Sequence, residues 1–145
     1  MHPPVPASHT FKMMVVIQSQ ELSSTQKELE KIQRHVNSDA LVTFGVPGRV
    51  ANVETVASRL SEVSIVHFAC HGMQDQLKPL NSGLKLDDGL LRVSRIMKEK
   101  MPNGSLAFLC ACETAMGHEK RPDEAMSLGA TLLFSGFHSV IGTMW

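Results

Sequence analysis

Two residues of this chain have the chemistry of a nucleophile and its base. His71 is followed directly by a glycine, and Cys112 stands in the short run Cys110 to Thr114. A cysteine attacks a carbonyl carbon as its thiolate, and a nearby imidazole takes the thiol proton and later supplies one to the leaving group. His71 and Cys112 are therefore the candidate catalytic pair.

The backbone next to this pair suits a developing negative charge. Gly72 has no Cβ, so a substrate can approach its backbone closely. Backbone N–H groups are the usual donors to the oxyanion of a tetrahedral intermediate. We predict that the amides of Gly72 and Cys112 fill this role, which would complete an acyl-transfer site.

The elements before these residues must bring them together. Ile65–Ala69 has the composition of a buried strand and ends just before His71, and Ser105–Leu109 is a similar run that ends just before the Cys112 region. Strands separated by helical patterns predict an α/β fold, with a mostly parallel sheet and helices on both faces. Ligands of such sheets bind beyond the carboxyl ends of the strands, where both candidates fall.

Hydrophobic patterns predict the remaining elements. Residues 1–10 are expected to be a flexible lead-in, Thr25 and Glu28 fit a capping box, and Asp87 and Asp88 fit the turn of a small hairpin. The further strands are predicted at Lys12–Gln18, Leu41–Phe44 and Ser139–Thr143, and the helices at about Ser24–Val36, Val53–Leu60, Val93–Lys100 and Pro122–Phe134.

Three sequence blocks, in this order, resemble the CHAT domain, a caspase-like family often joined to tetratricopeptide repeats. The resemblance spans roughly Val63 to Trp145, and the blocks are His67–Gly72, Leu109–Gly117 and Ser139–Trp145. It implies a caspase-like fold and a cysteine endopeptidase that forms a thioester acyl-enzyme, with His71 and Cys112 as the dyad. It also implies a protein or peptide substrate and a possible tetratricopeptide-repeat partner.

The resemblance has a consequence for the domain boundaries. Such domains usually continue by a further helix or more past the position of Trp145. We therefore expect residues 11–145 to form a caspase-like domain that is incomplete at its C-terminal end. If the absent part builds the substrate pocket, the same fold would serve instead as a non-catalytic interaction or regulatory module of a signalling assembly. This is the alternative function.

Composition argues against several other classes of function. The chain has 14 basic and 14 acidic side chains and no block of like charge, which argues against nucleic acid as a partner. The apolar run Met13–Ile17 is too short for a membrane span or a signal peptide. Three cysteines without an export signal indicate a reducing, cytoplasmic environment. No cofactor is predicted, because Gly45–Gly48 is too short for a phosphate-binding loop.

The cysteines allow two further interpretations. A zinc site would use Cys110, Cys112 and His118 together with Cys70 or His71, but this spacing lacks the ligand pairs typical of structural zinc, so no metal is predicted. Cys70 is expected to point away from the face of His71 and to be a buried small apolar residue. Packing is favoured over a redox role for Cys110.

Overall fold

The computed structural model describes residues 11–18, 23–73, 75, 77–99, 101–102, 104, 106–109, 133 and 136–142. Its strands in this part of the chain are β1 Met13–Ile17, β2 Leu41–Phe44, β3 Ile65–Ala69, β4 Gly72–Met73, β5 Gly83–Lys85, β6 Leu90–Arg92, β7 Leu106–Leu109 and β8 Ser139–Gly142. Its α-helices are α1 Ser23–His35, α2 Val53–Arg59 and α3 Val93–Ile96. The predicted lead-in at residues 1–10 and the predicted helix Pro122–Phe134 lie outside the described residues, apart from Leu133.

Five strands form a parallel sheet in the order β2-β1-β3-β7-β8. All five carboxyl ends therefore lie along one edge of the sheet. The α/β fold with a mostly parallel sheet, which the alternation of strand and helix patterns predicted, is confirmed.

Alternate residues of β1 enter two separate clusters of buried apolar side chains. Val15 and Ile17 pack in the cluster that contains Leu29 of α1, whereas Met14 and Val16 pack in the cluster that contains Val56 of α2. Because successive side chains of a strand point to opposite faces, helices cover both faces of the sheet. All five residues of β1 are buried, which explains why this strand reads as a continuous apolar run.

A second, smaller sheet follows β3. It is antiparallel, in the order β4-β5-β6, and the N–H of Leu86 donates to the carbonyl of Gly89 at 2.8 Å to close its hairpin. The hairpin around Asp88 is confirmed. The sequence analysis missed β4, because a strand of two residues leaves no periodic pattern, and α3 ends earlier than predicted, at Ile96.

The predicted capping box at the start of α1 is wrong. The helix begins at Ser23, so Thr25 lies inside its first turn and not before it. The carboxylate of Glu28 is also engaged elsewhere, because its Oε2 lies 3.1 Å from Nε2 of His67 on β3. Glu28 therefore ties α1 to the sheet.

No helix in the described part of the chain combines the length and the apolar composition needed to cross a membrane.

The turn after β2 requires glycine at one position for two reasons. Gly45 has φ of +88°, and a Cβ at this position would clash with the backbone carbonyl of Ile17 at the end of β1. Gly48 has a similar φ of +85°, but a Cβ there would meet nothing within 4 Å. The two glycines thus share a backbone conformation and differ in the space around them.

This difference predicts unequal costs for the same substitution. Gly48→Ala should lower the free energy of unfolding by about 1 kcal/mol, the cost of a left-handed conformation for an L-residue. Gly45→Ala should lower it by about 3 kcal/mol or more, because β1 and the turn must also separate. Urea denaturation of the two variants and the parent measures both values. Equal losses would show that the turn does not press against β1.

Candidate active site

His71 lies at the carboxyl edge of the parallel sheet, two residues after β3 ends at Ala69. Gln18 follows β1 at the same edge, and Gly45 follows β2. The neighbouring strand β7 ends at Leu109, one residue before Cys110. Cys110, Cys112 and His118 lie outside the described residues, so the structure gives the surroundings of His71 and the strand that precedes the candidate nucleophile.

The backbone of His71 is hydrogen-bonded on both sides. Its N–H donates to Oε1 of Gln18 at 2.6 Å, and its carbonyl accepts from the N–H of Lys85 at 2.8 Å. Gln18 is only 5% exposed, and Lys85 ends β5 of the small sheet. The backbone of His71 is therefore bonded to the side chain of Gln18, which follows β1 of the large sheet, and to the backbone of Lys85 in the small sheet. We call these two bonds the His71 clamp.

The amide of Gly72 is directed away from the small sheet. Gly72 is paired with Leu84, and the bond from Lys85 to His71 lies beside this pair. In an antiparallel ladder, a pair flanked in this way is of the non-hydrogen-bonded type. The N–H of Gly72 consequently points to the side of β4 opposite β5.

The two aspartates of the hairpin do more than form a turn. Oδ2 of Asp87 accepts from the N–H of Ala51 at 2.7 Å, and Oδ1 of Asp88 accepts from the N–H of Val53 at 2.8 Å. The N–H of Asp87 also donates to the carbonyl of Ala51 at 3.0 Å. Val53 is the first residue of α2, which packs on the five-stranded sheet. These bonds therefore fix the hairpin of the small sheet to the start of that helix.

A cavity of about 320 Å³ lies beside the His71 clamp. Two of its lining residues, Gln18 and Lys85, are the partners of His71. The turn after β2 and the start of the hairpin tip supply the rest of the wall, namely Gly45, Val46, Pro47, Gly48, Val50, Leu86 and Asp87. The cavity is at the edge where α/β sheets bind ligands.

Cys70 and His67 have structural positions. Cys70 is 0% exposed and belongs to the larger of the two apolar clusters, the one that contains Val56. This confirms the expected burial. His67 faces α1, where it pairs with Glu28, and its ring lies 5.8 Å from the ring of Phe108 on β7. Neither residue is available as a surface nucleophile or base.

Within the described residues, no group of three histidine, cysteine, aspartate or glutamate side chains is arranged to hold a metal ion. The zinc set considered above includes Cys110, Cys112 and His118, which fall outside that part of the chain.

A family model described as the CHAT domain matches residues 4–145. The chain belongs to the CHAT domain family. CHAT domains are a caspase-like, peptidase-related family, and the parallel sheet covered by helices agrees with that fold. The match includes β1, α1 and β2, and so extends well before the segment in which the sequence blocks were recognised. A search of curated proteins returned no match to this CHAT domain.

Gln18 is the site residue that sequence reasoning missed. The pattern placed it at the end of the first strand but gave it no role, since its partner lies 53 positions later in the chain. The available signal was a polar residue at the carboxyl end of an apolar strand, which must find a partner if it is buried.

The burial of Gln18 predicts the effect of its removal. Gln18→Ala should lower the free energy of unfolding by about 1–3 kcal/mol, because the N–H of His71 loses its acceptor. Gln33→Ala, the same change at an exposed position of α1, should stay within about 0.5 kcal/mol of the parent. Denaturant titration gives both values, and the amide resonance of His71 should shift in Gln18→Ala alone. Similar losses in both variants would contradict the clamp.

Proposed function

We propose that this CHAT domain is a cysteine endopeptidase in which His71 and Cys112 form the catalytic dyad. Membership of a caspase-like family supports this general kind of activity. The observation that carries the proposal for this chain is the register of the two strands that precede the candidate residues.

Strand β3 pairs with β7 at one constant offset. Ile65 lies opposite Leu106 and Phe68 lies opposite Leu109, so partners are 41 positions apart. His71 and Cys112 are separated by the same 41 positions. A chain that continued in this register beyond Leu109 would have Cys112 level with His71, at the distance of neighbouring strands. The spacing of the two residues thus fits the sheet that precedes them.

The proposed reaction uses only groups of the chain and water. His71 takes the thiol proton of Cys112, and the thiolate attacks the carbonyl carbon of the scissile peptide bond. His71 then protonates the leaving amine, which departs and leaves a thioester on Cys112. His71 next removes a proton from water as it attacks the thioester, and the acid product leaves with the thiol restored.

Three features of the described site support this reaction. The N–H of Gly72 is directed away from β5, which suits an oxyanion donor, and the amide of Cys112 is the proposed second donor. The cavity beside the His71 clamp is large enough to receive one substrate side chain. The clamp itself holds the histidine backbone in place, so little reorganisation is needed when a substrate binds.

The first test measures whether the dyad is assembled. In the intact protein, iodoacetamide should alkylate Cys112 at about pH 6, because a paired imidazole keeps part of the thiol as thiolate. His71→Ala should slow this alkylation at least about tenfold, whereas His35→Ala, which removes an exposed histidine of α1, should not. Peptide mass spectrometry resolves each cysteine, and the buried Cys70 should stay unmodified as an internal control.

The second test measures peptide-bond cleavage. Incubation with a proteome-derived peptide library should produce new amino termini that are absent with Cys112→Ser, and His71→Ala should lower the rate at least about a hundredfold. His35→Ala again serves as the matched control. An unreactive Cys112, or one that reacts independently of His71, would reject the peptidase and favour the interaction module.

A further inference from the structure

The segment that follows His71 exposes an unusual share of large apolar side chains. Of the eight exposed large hydrophobic residues in the described part of the chain, four lie between residues 72 and 99. Leu77 is 93% exposed, and the other three are about half exposed. We call these four side chains the apolar surface: Met73, Leu77, Leu80 and Met97.

Hydrogen bonds hold the elements that carry the apolar surface in one unit. The N–H of Asp75 donates to Oγ of the buried Ser82 at 2.9 Å, and the N–H of Val93 donates to the carbonyl of the same serine at 2.7 Å. Ser82 follows a 3-10 turn, Pro79–Asn81, which includes Leu80, and Val93 begins the helix that ends just before Met97. The exposed side chains therefore belong to a folded surface.

Three cations next to this surface have no ion-pair partner among the described residues. Lys78, Arg92 and Lys98 are exposed, and none of them forms an ion pair with another described residue. Arg92 and Met73 are both paired with Gly83, so they lie on the same face of the small sheet, separated by a residue without a side chain. A cation thus stands beside an exposed methionine.

The carboxylates of the segment are already engaged. Oδ1 of Asp75 accepts from the N–H groups of Leu77 and Lys78, at 3.0 and 2.9 Å. Asp87 and Asp88 bind the start of α2, as described above, and Glu99 lies 3.3 Å from Arg95. Each of these carboxylates thus has a structural partner, whereas Lys78, Arg92 and Lys98 form no ion pair among the described residues.

We infer that the apolar surface binds a peptide segment of a protein partner, and that this segment combines apolar side chains with aspartate or glutamate. Apolar contacts supply most of the affinity of such a complex, and opposite charges select the partner. Methionine, which is flexible and polarizable, adapts to more than one apolar side chain. The inference does not depend on the peptidase activity, because it concerns binding alone.

A peptide fits this surface better than a lipid membrane does. Proteins that lie on anionic bilayers usually present a long amphipathic helix. Here the apolar residues come from β4, a loop, a 3-10 turn of three residues and the end of a helix of four residues. Such short elements present individual side chains, as a peptide with a few apolar residues requires, and not the continuous apolar face of a long helix.

The test selects peptide ligands for the intact chain that carries the substitution Cys112→Ser. This variant lacks the proposed nucleophile, so it should bind peptides without cleaving them. Random peptides displayed on phage should be enriched for aspartate or glutamate together with leucine, phenylalanine or methionine. A selected peptide, fluorescently labelled, should bind about tenfold more weakly to Leu77→Ser with Met97→Ser, and to Lys78→Glu with Lys98→Glu. The second loss should shrink as salt is raised.

Phe11→Ser is the matched control, because Phe11 is an exposed apolar residue that belongs neither to the apolar surface nor to the cavity wall. Binding to this variant should equal that of the parent. The inference is overturned if no peptide is enriched, if the enriched peptides are basic, or if the two double variants bind as well as the parent. A loss in Val50→Ser, which changes the cavity wall, without a loss in the two double variants would place the peptide in the cavity and overturn the inference. If the protein sediments with phosphatidylserine vesicles and binds no peptide, the apolar surface binds membranes and the inference is overturned.

Discussion

The pairing of β3 with β7 at one register is the constraint on which the candidate site depends. Val66 and Phe68 point into the larger apolar cluster, while Ala69 points into the cluster under α1. A slip of one residue would turn each of these side chains to the opposite face. Because both faces are buried, the register is strongly specified, and the residues that follow the two strands begin from a defined relative position.

The small antiparallel sheet has a part in positioning His71. The His71 clamp includes the N–H of Lys85 on β5, and the hairpin that follows β5 is fixed to α2 through Asp87 and Asp88. A movement of the hairpin would therefore act on the carbonyl of His71. The small sheet, whose first strand carries Met73 of the apolar surface, is thus connected to the candidate base by the hydrogen bond between Lys85 and His71.

Most of the elements could be predicted because their signals are local. Continuous apolar runs gave β1 and β3, the recurrence of Val53, Val56 and Leu60 gave α2, and an Asp-Gly pair gave the hairpin. The errors arise where a distant residue decides the outcome. Glu28 matched a capping pattern, but His67 binds its carboxylate. Gln18 acts at the site only because β1 and β3 are neighbours, an adjacency that a single sequence does not reveal. The dyad itself was predicted from residue types and from resemblance, and Cys112 lies outside the described residues.

The surface charge of the segment after His71 follows from the fold and not from composition. The chain has equal numbers of acidic and basic side chains, and this balance argued against any electrostatic footprint. The balance of acidic and basic side chains holds for the chain as a whole. A carboxylate, however, can accept hydrogen bonds from backbone N–H groups, which an ammonium group cannot do. Asp75, Asp87 and Asp88 are used in this way, to form a loop and to join the small sheet to α2. Each such bond gives a carboxylate a backbone partner, whereas Lys78, Arg92 and Lys98 are exposed and form no ion pair with another described residue. A chain of zero net charge thereby presents unpaired cations in the segment that follows the histidine held by its two sheets.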